Sequence, residues 1–184
     1  ELASEESNLI PRSTVSIEEI DKIKENRLLI KKNIKLFYCP ERIAEGKSLK
    51  EIKELPQILA SQNQKEAKPI VEFFESLGIK TYLTSFRNAA FLKLFSNAYR
   101  YAEFTLVNEF FNVAEKNNID FKEIIELAKV DYPRLMKMPS YGFVGGPCLI
   151  KDTKTFIDQY SNETSVLTSL QESNNEFMQL IIKK

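Results

Sequence analysis

The chain has 184 residues, enough for one ordinary domain or two small ones with a substantial core. Lys plus Arg and Asp plus Glu balance at 26 each, so no net field points to nucleic acid or to an acidic membrane surface. Histidine is absent, which excludes Ser-His-Asp and Cys-His machinery within the chain and leaves zinc few ligands.

Glu1 to Asn8 (ELASEESN) is polar and reads as entering an element already under way, so the chain is expected to be a piece of something longer. Ser16 followed by Glu19 is a helix-start signature. Ile17, Ile20, Ile23 and Leu28 then recur at helical spacing to about Asn33. Ile34–Cys39 predicts a strand stopped by Pro40, and Pro40 to about Leu55 reads as a loop. Gln57–Ala60 and Lys80–Leu83 predict strands on either side of an amphipathic helix, Lys65–Leu77, closed by Gly78. That order predicts parallel pairing in an α/β layer.

After Ser85 the texture becomes helical. Asn88 to Lys116 holds helical periodicity without Gly or Pro and is dense in aromatic residues. Its apolar surface needs cover, from the rest of the fold or from a second chain. Phe121–Val130 predicts a further helix. Tyr132 to Cys148, rich in Pro and Gly, reads as a loop; Asp152 opens another helix, and Leu167–Ile182 makes the last. The expected organisation is an α/β part over residues 1–85 and an all-helical part over 86–184. No apolar run approaches the ~20 residues of a membrane-spanning helix, and the first residues do not read as a signal-peptide pattern. The expectation is a cytoplasmic protein that binds neither nucleic acid nor membrane and holds no metal, with Cys39 and Cys148 as thiols.

Four constellations bear chemistry. The stretch from Gly142 to Asp152 (GFVGGPCLIKD) sets a cysteine after glycines and ahead of a helix, beside Lys151. A positive helix end and a nearby cation both favour a thiolate; the plainer alternative is a small buried hydrophobe beside a turn. Asp152 would cap that helix or act as a base. Lys93 and Asn97 are four apart on the long helix and share a face, suited to stabilising an oxyanion or forming an ordinary polar stripe. Glu41, Arg42 and Glu45 follow a strand, where ligands of open α/β folds bind, though loop charges are common there. Ser13-Thr14-Val15 lies at a strand-to-helix junction and by itself means only a capped helix.

In this order the four pieces resemble the UDP-glucose and UDP-N-acetylmannosamine dehydrogenases. The match runs through Arg12-Ser13-Thr14-Val15, Cys39-Pro40-Glu41-Arg42 with Glu45-Gly46, Lys93-Leu94-Phe95-Ser96-Asn97-Ala98-Tyr99, and Gly145-Gly146-Pro147-Cys148 with Lys151-Asp152. The resemblance implies part of a dinucleotide-binding α/β domain followed by a helical middle domain whose long helix forms a homodimer interface. It implies oxidation of a UDP-sugar alcohol to the uronic acid, twice transferring hydride to NAD. Cys148 is then the nucleophile that carries a thiohemiacetal and a thioester. Lys93 and Asn97 match the oxyanion-stabilising pair, Asp152 the aspartate of the base and water, Thr14 the threonine holding that water, and Glu41 a glutamate assisting hydrolysis. Ser13, Thr14, Val15, Glu45, Cys148 and Lys151 fall at cofactor positions. Glu41, Arg42, Lys93 and Asn97, with Tyr141, Gly142, Phe143 and Gly145 of the 139–145 loop, fall at substrate positions. The family's loop has glycine where Phe143 stands, with Gly142 one place earlier. No glycine fingerprint of the dinucleotide fold occurs in these residues; by the resemblance, this stretch is expected to lack the amino-terminal half of that fold and the family's carboxy-terminal domain. Two other readings fit the same layout: a non-catalytic dimerisation module, and a 6-phosphogluconate-type dehydrogenase needing no loop cysteine.

Overall fold

The structure, a computed structural model, describes residues 4, 7–43, 46, 48–144 and 146–183. Two compact units divide the chain, Glu1–Leu94 and Phe95–Lys184.

In the first unit four strands, β1 (Asn8–Leu9), β2 (Lys35–Tyr38), β3 (Gln57–Ser61) and β4 (Thr81–Thr84), lie side by side in chain order. β1 with β2 and β3 with β4 are parallel, and β2 with β3 is antiparallel. The strand period of two explains the core. Phe37, Cys39 and Leu59 point to one face, against Ala67 and Ile70 of α4 (Gln64–Ser76). Tyr38 and Ala60 point to the other, against Ile20 of α1 (Ile17–Lys24) and Phe86, Ala89 and Ala90 at the start of α5 (Phe86–Lys116). The parallel β3–α4–β4 unit is as the sequence predicts.

Two expectations change here. The helix foreseen from Ile17 to about Asn33 is broken: α1 ends at Lys24, and α2 (Arg27–Lys31) starts afresh with Asn26 as its cap, the Asn26 Oδ1 accepting from the Leu28 N–H at 2.9 Å. An asparagine side chain that satisfies a backbone donor competes with helix continuation. Part of the segment read as a loop before Gln57 is helical, α3 (Ser48–Glu54), too short for its period to stand out.

The second unit is helical: most of α5, α6 (Phe121–Lys129), α7 (Gly146–Gln159) and α8 (Ser165–Lys183). α7 begins before Cys148 rather than after it, because Pro147, with φ fixed near the helical value, suits a first helical turn. Cys148 is therefore a helical residue, and Asp152 does not open the helix but sits in its second turn.

α5 carries a polar stripe within its buried side and an apolar stripe on its exposed side. Asn97, Tyr101, Thr105 and Asn108 are all buried, and at about 3.6 residues per turn they fall within an arc of roughly 80°. Phe95, Tyr99, Leu106, Phe110 and Val113 are all exposed, on an arc of roughly 60° on the opposite side. Among the described residues no helix is long and apolar enough to cross a membrane.

Candidate active site

Cys148 is exposed, in the first turn of α7, where backbone N–H groups lack intrahelical partners and the helix dipole is positive. One turn later comes Asp152, which is 1% exposed and by helical spacing shares a face with the cysteine. A buried carboxylate needs a partner: the Asn97 Nδ2 donates to Asp152 Oδ2 at 2.6 Å. The Lys151 ammonium, itself exposed, lies 3.7 Å from Asp152 Oδ1. An exposed thiol, a buried carboxylate and an amide donor are thus joined through α7 and α5. Lys93 is half-buried on α5, one turn before Asn97.

The segment leading to α7 runs back along α5 with one anchor per turn. The Tyr141 ring stacks on Phe111, centroids 4.4 Å apart and planes 12° from parallel. Gly142, at φ +141, exchanges two hydrogen bonds with Asn108. Val144 is buried with Tyr101 and Leu149 against Phe104. Between them Phe143 turns outward and is 63% exposed.

In the first unit the other predicted residues gather beyond the carboxyl ends of the parallel strands β1 and β2. Main-chain pairing continues past the strands, from the Cys39 N–H to the Pro11 carbonyl at 3.1 Å and from the Glu41 N–H to the Arg12 carbonyl at 2.8 Å. Ser13, Thr14 and Val15 lead from there into α1, and the Tyr38 hydroxyl donates to the Ser13 carbonyl at 3.2 Å. The Ser16–Glu19 capping box forms, with the Glu19 N–H donating to Ser16 Oγ at 3.1 Å and the Ser16 N–H donating to Glu19 Oε2 at 2.6 Å.

Arg12 organises this corner. Its Nη2 meets Glu41 Oε2 at 2.5 Å, and its Nη1 donates to Gln57 Oε1 at 2.8 Å and lies 3.2 Å from Cys39 Sγ. Burial pushes the Glu41 carboxyl up, but the Arg12 guanidinium and the N–H groups of Ile43 and Arg42 outweigh it and hold the group below its ordinary value. Burial raises the Cys39 thiol; it is a core cysteine that donates to Gln57 Oε1. The Arg42 guanidinium donates to the Pro56 carbonyl at 3.3 Å, binding the loop to itself. Glu45 and Gly145 lie outside the described residues. Among the described residues no cluster of three or more His, Cys, Asp or Glu is placed to hold a metal ion.

Sequence reasoning gave no role to Arg12 or Asn108. Arg12 carries no pattern of its own, since its partners are 27 to 45 residues away. Asn108 was legible in principle, because a polar residue recurring in phase with Asn97 and Thr105 on an aromatic-rich helix marks a buried polar face.

Residues 87–176 match the sequence model of the UDP-glucose/GDP-mannose dehydrogenase family, central domain. The chain is 32% identical to UDP-N-acetyl-D-mannosamine dehydrogenase of Methanocaldococcus jannaschii over 83% of its own length and 36% of that protein. It is 29% identical to UDP-glucose 6-dehydrogenase of Campylobacter jejuni over 96% of its own length and 47% of that protein. Among solved structures, UDP-D-ManNAc dehydrogenase of Pyrococcus horikoshii superimposes with a TM-score of 0.83 at 25% identity, over 96% of this chain and 43% of that one. The chain thus spans less than half the length of these relatives. With the partly parallel sheet, the long helix and the central-domain match all in agreement, the chain belongs to the UDP-glucose/GDP-mannose dehydrogenase family.

Proposed function

We propose that the chain serves NAD-dependent oxidation of a UDP-sugar primary alcohol to the uronic acid, with Cys148 as the nucleophile. The observation that carries this reading is the exposed thiol in the first turn of α7, one turn from a buried Asp152 tied to Asn97. In this reading residues 1–85 are the C-terminal half of an NAD-binding domain, and residues 86–184 are the middle domain. NAD supplies the hydride acceptor for both oxidations. The chain's residues suit it: Ser13-Thr14-Val15 follow the carboxyl end of β1 beside the carboxyl end of the parallel β2, where nucleotides bind in open α/β sheets. Glu45 and Lys151 complete the proposed cofactor set.

The thiolate of Cys148 adds to the sugar aldehyde, and the oxyanion that forms takes hydrogen bonds from Lys93 and Asn97. Loss of hydride from that adduct gives a thioester. Asp152, with Thr14 holding the water and Glu41 assisting, takes the proton as water attacks; the acid leaves and the thiol is restored. Glu41, Arg42, Tyr141, Gly142, Phe143 and Gly145 contact the UDP-sugar. A second copy of the chain covers the exposed stripe of α5, making a homodimer.

Cys148→Ser, assayed in the natural protein by NADH formation with UDP-glucose and UDP-N-acetylmannosamine in parallel, lowers turnover of the accepted substrate by roughly 10³-fold or more. Full turnover in that variant overturns the covalent reading in favour of simple hydride transfer. No turnover of either sugar by the wild type leaves the dimerisation module.

A further inference from the structure

The mechanism above uses Asn97, at one end of the buried polar stripe on α5, and leaves Asn108, at the other end, without a task. Asn108 is fully buried. Its Nδ2 donates to the Gly142 carbonyl at 2.8 Å, and its Oδ1 accepts from the Gly142 N–H at 2.8 Å. The side chain thus reads both polar groups of one residue, as a neighbouring strand would. Only a primary amide presents a donor and an acceptor at that spacing; a carboxylate lacks the donor and an apolar isostere lacks both. The clamped residue is also the one that requires glycine, since a φ of +141 lies outside the range that L side chains adopt readily.

We propose that Asn108 is a positioning residue for the substrate loop, fixing the path of residues 141–144 along α5 so that Phe143 is held outward toward the nucleotide sugar. The proposal rests on the reading of that loop as a UDP-sugar contact. Tyr141 on Phe111 and Val144 on Tyr101 are apolar contacts that tolerate sliding. The Asn108–Gly142 pair is directional and sets the register between them. It also accounts for the displaced glycine in the loop: the residue that must be glycine here is the one in the clamp, so position 143 is free to carry an aromatic ring.

The test uses Asn108→Leu, which keeps the core volume and removes the clamp, and Gly142→Ala, which disturbs the same backbone without touching α5. A Cβ at Gly142 meets nothing within 4 Å, so its effect is confined to backbone conformation. Amide hydrogen exchange of the peptide containing Gly142 is expected to speed up about tenfold or more in both variants. KM for the UDP-sugar rises about tenfold, while KM for NAD and the alkylation rate of Cys148 stay within about twofold. A merely structural role would lower thermal stability without this separation of the two KM values. Unchanged exchange at Gly142 overturns the clamp, and faster exchange with an unchanged KM for the sugar overturns the positioning role. If Asn108→Leu does not fold, Gly142→Ala decides by the same readings. If the wild type turns over no UDP-sugar, the underlying reading has failed, and the exchange measurement separately decides whether the clamp exists.

Discussion

Arg12 shows how much of the site rests on single side chains. It touches Glu41, Gln57 and Cys39 at once, and it reverses the effect of burial on the Glu41 carboxyl. A carboxyl held below its ordinary value stabilises the fold above the usual carboxylate range and ceases to do so as pH falls through the depressed value. Arg12→Met is therefore expected to melt roughly 2–4 °C below the wild type at neutral pH. The gap narrows as pH drops below about 4.5, the ordinary value for such a group. Melting curves across pH 3–8 check this, and a gap that stays constant would assign the loss to packing alone. None of this was legible beforehand, because contacts across tens of residues leave no local period. The place of Cys148 near a helix start and the shared helix of Lys93 and Asn97 were legible, since each lies within one element or at its start, whereas Asp152 proved to sit in the second turn of α7.

At the scale of elements, the sequence marked helix starts better than helix continuity. Ser16 and Glu19 announced α1 correctly, whereas Asn26 ended that helical run by capping a new one, which apolar spacing alone does not reveal. The Pro-Gly stretch concealed the start of α7 because proline and glycine suit both a loop and a first helical turn. The bond from Asn97 to Asp152 links α5 to α7. Hydrogen bonds to buried charged groups contribute about 1.5–3 kcal/mol, so Asn97→Ala is expected to cost roughly 2 kcal/mol in denaturant unfolding. Turnover is expected to fall by about 10²–10³, the usual loss for one oxyanion donor. A stability loss with unchanged turnover would make Asn97 a strut only.

For the molecule as a whole, the fold class was readable because strand and helix periods separate along the chain. The antiparallel β2–β3 pair was not, since pairing direction depends on how residues 40–56 return. The exposed aromatic stripe of α5 bears on assembly. Phe110, in this stripe, is 55% exposed; placing a charge there by Phe110→Glu is expected to weaken the proposed dimer about 30-fold or more. Sedimentation velocity over a concentration series reads this directly, and an unchanged association constant would move the interface elsewhere.

The buried polar stripe of α5 also changes how variation in this chain is to be read. By hydropathy alone an apolar residue is favoured inside a fold, and a singly exposed aromatic ring needs no explanation. At the buried amides of α5 that rule fails. Asn97 and Asn108 sit where an aliphatic residue would ordinarily be welcome, yet substitutions that make the core greasier there remove the hydrogen bonds that tie α5 to Asp152 and to Gly142. Any scoring of natural variants by hydrophobicity alone would rank the harmful changes at these two positions as improvements.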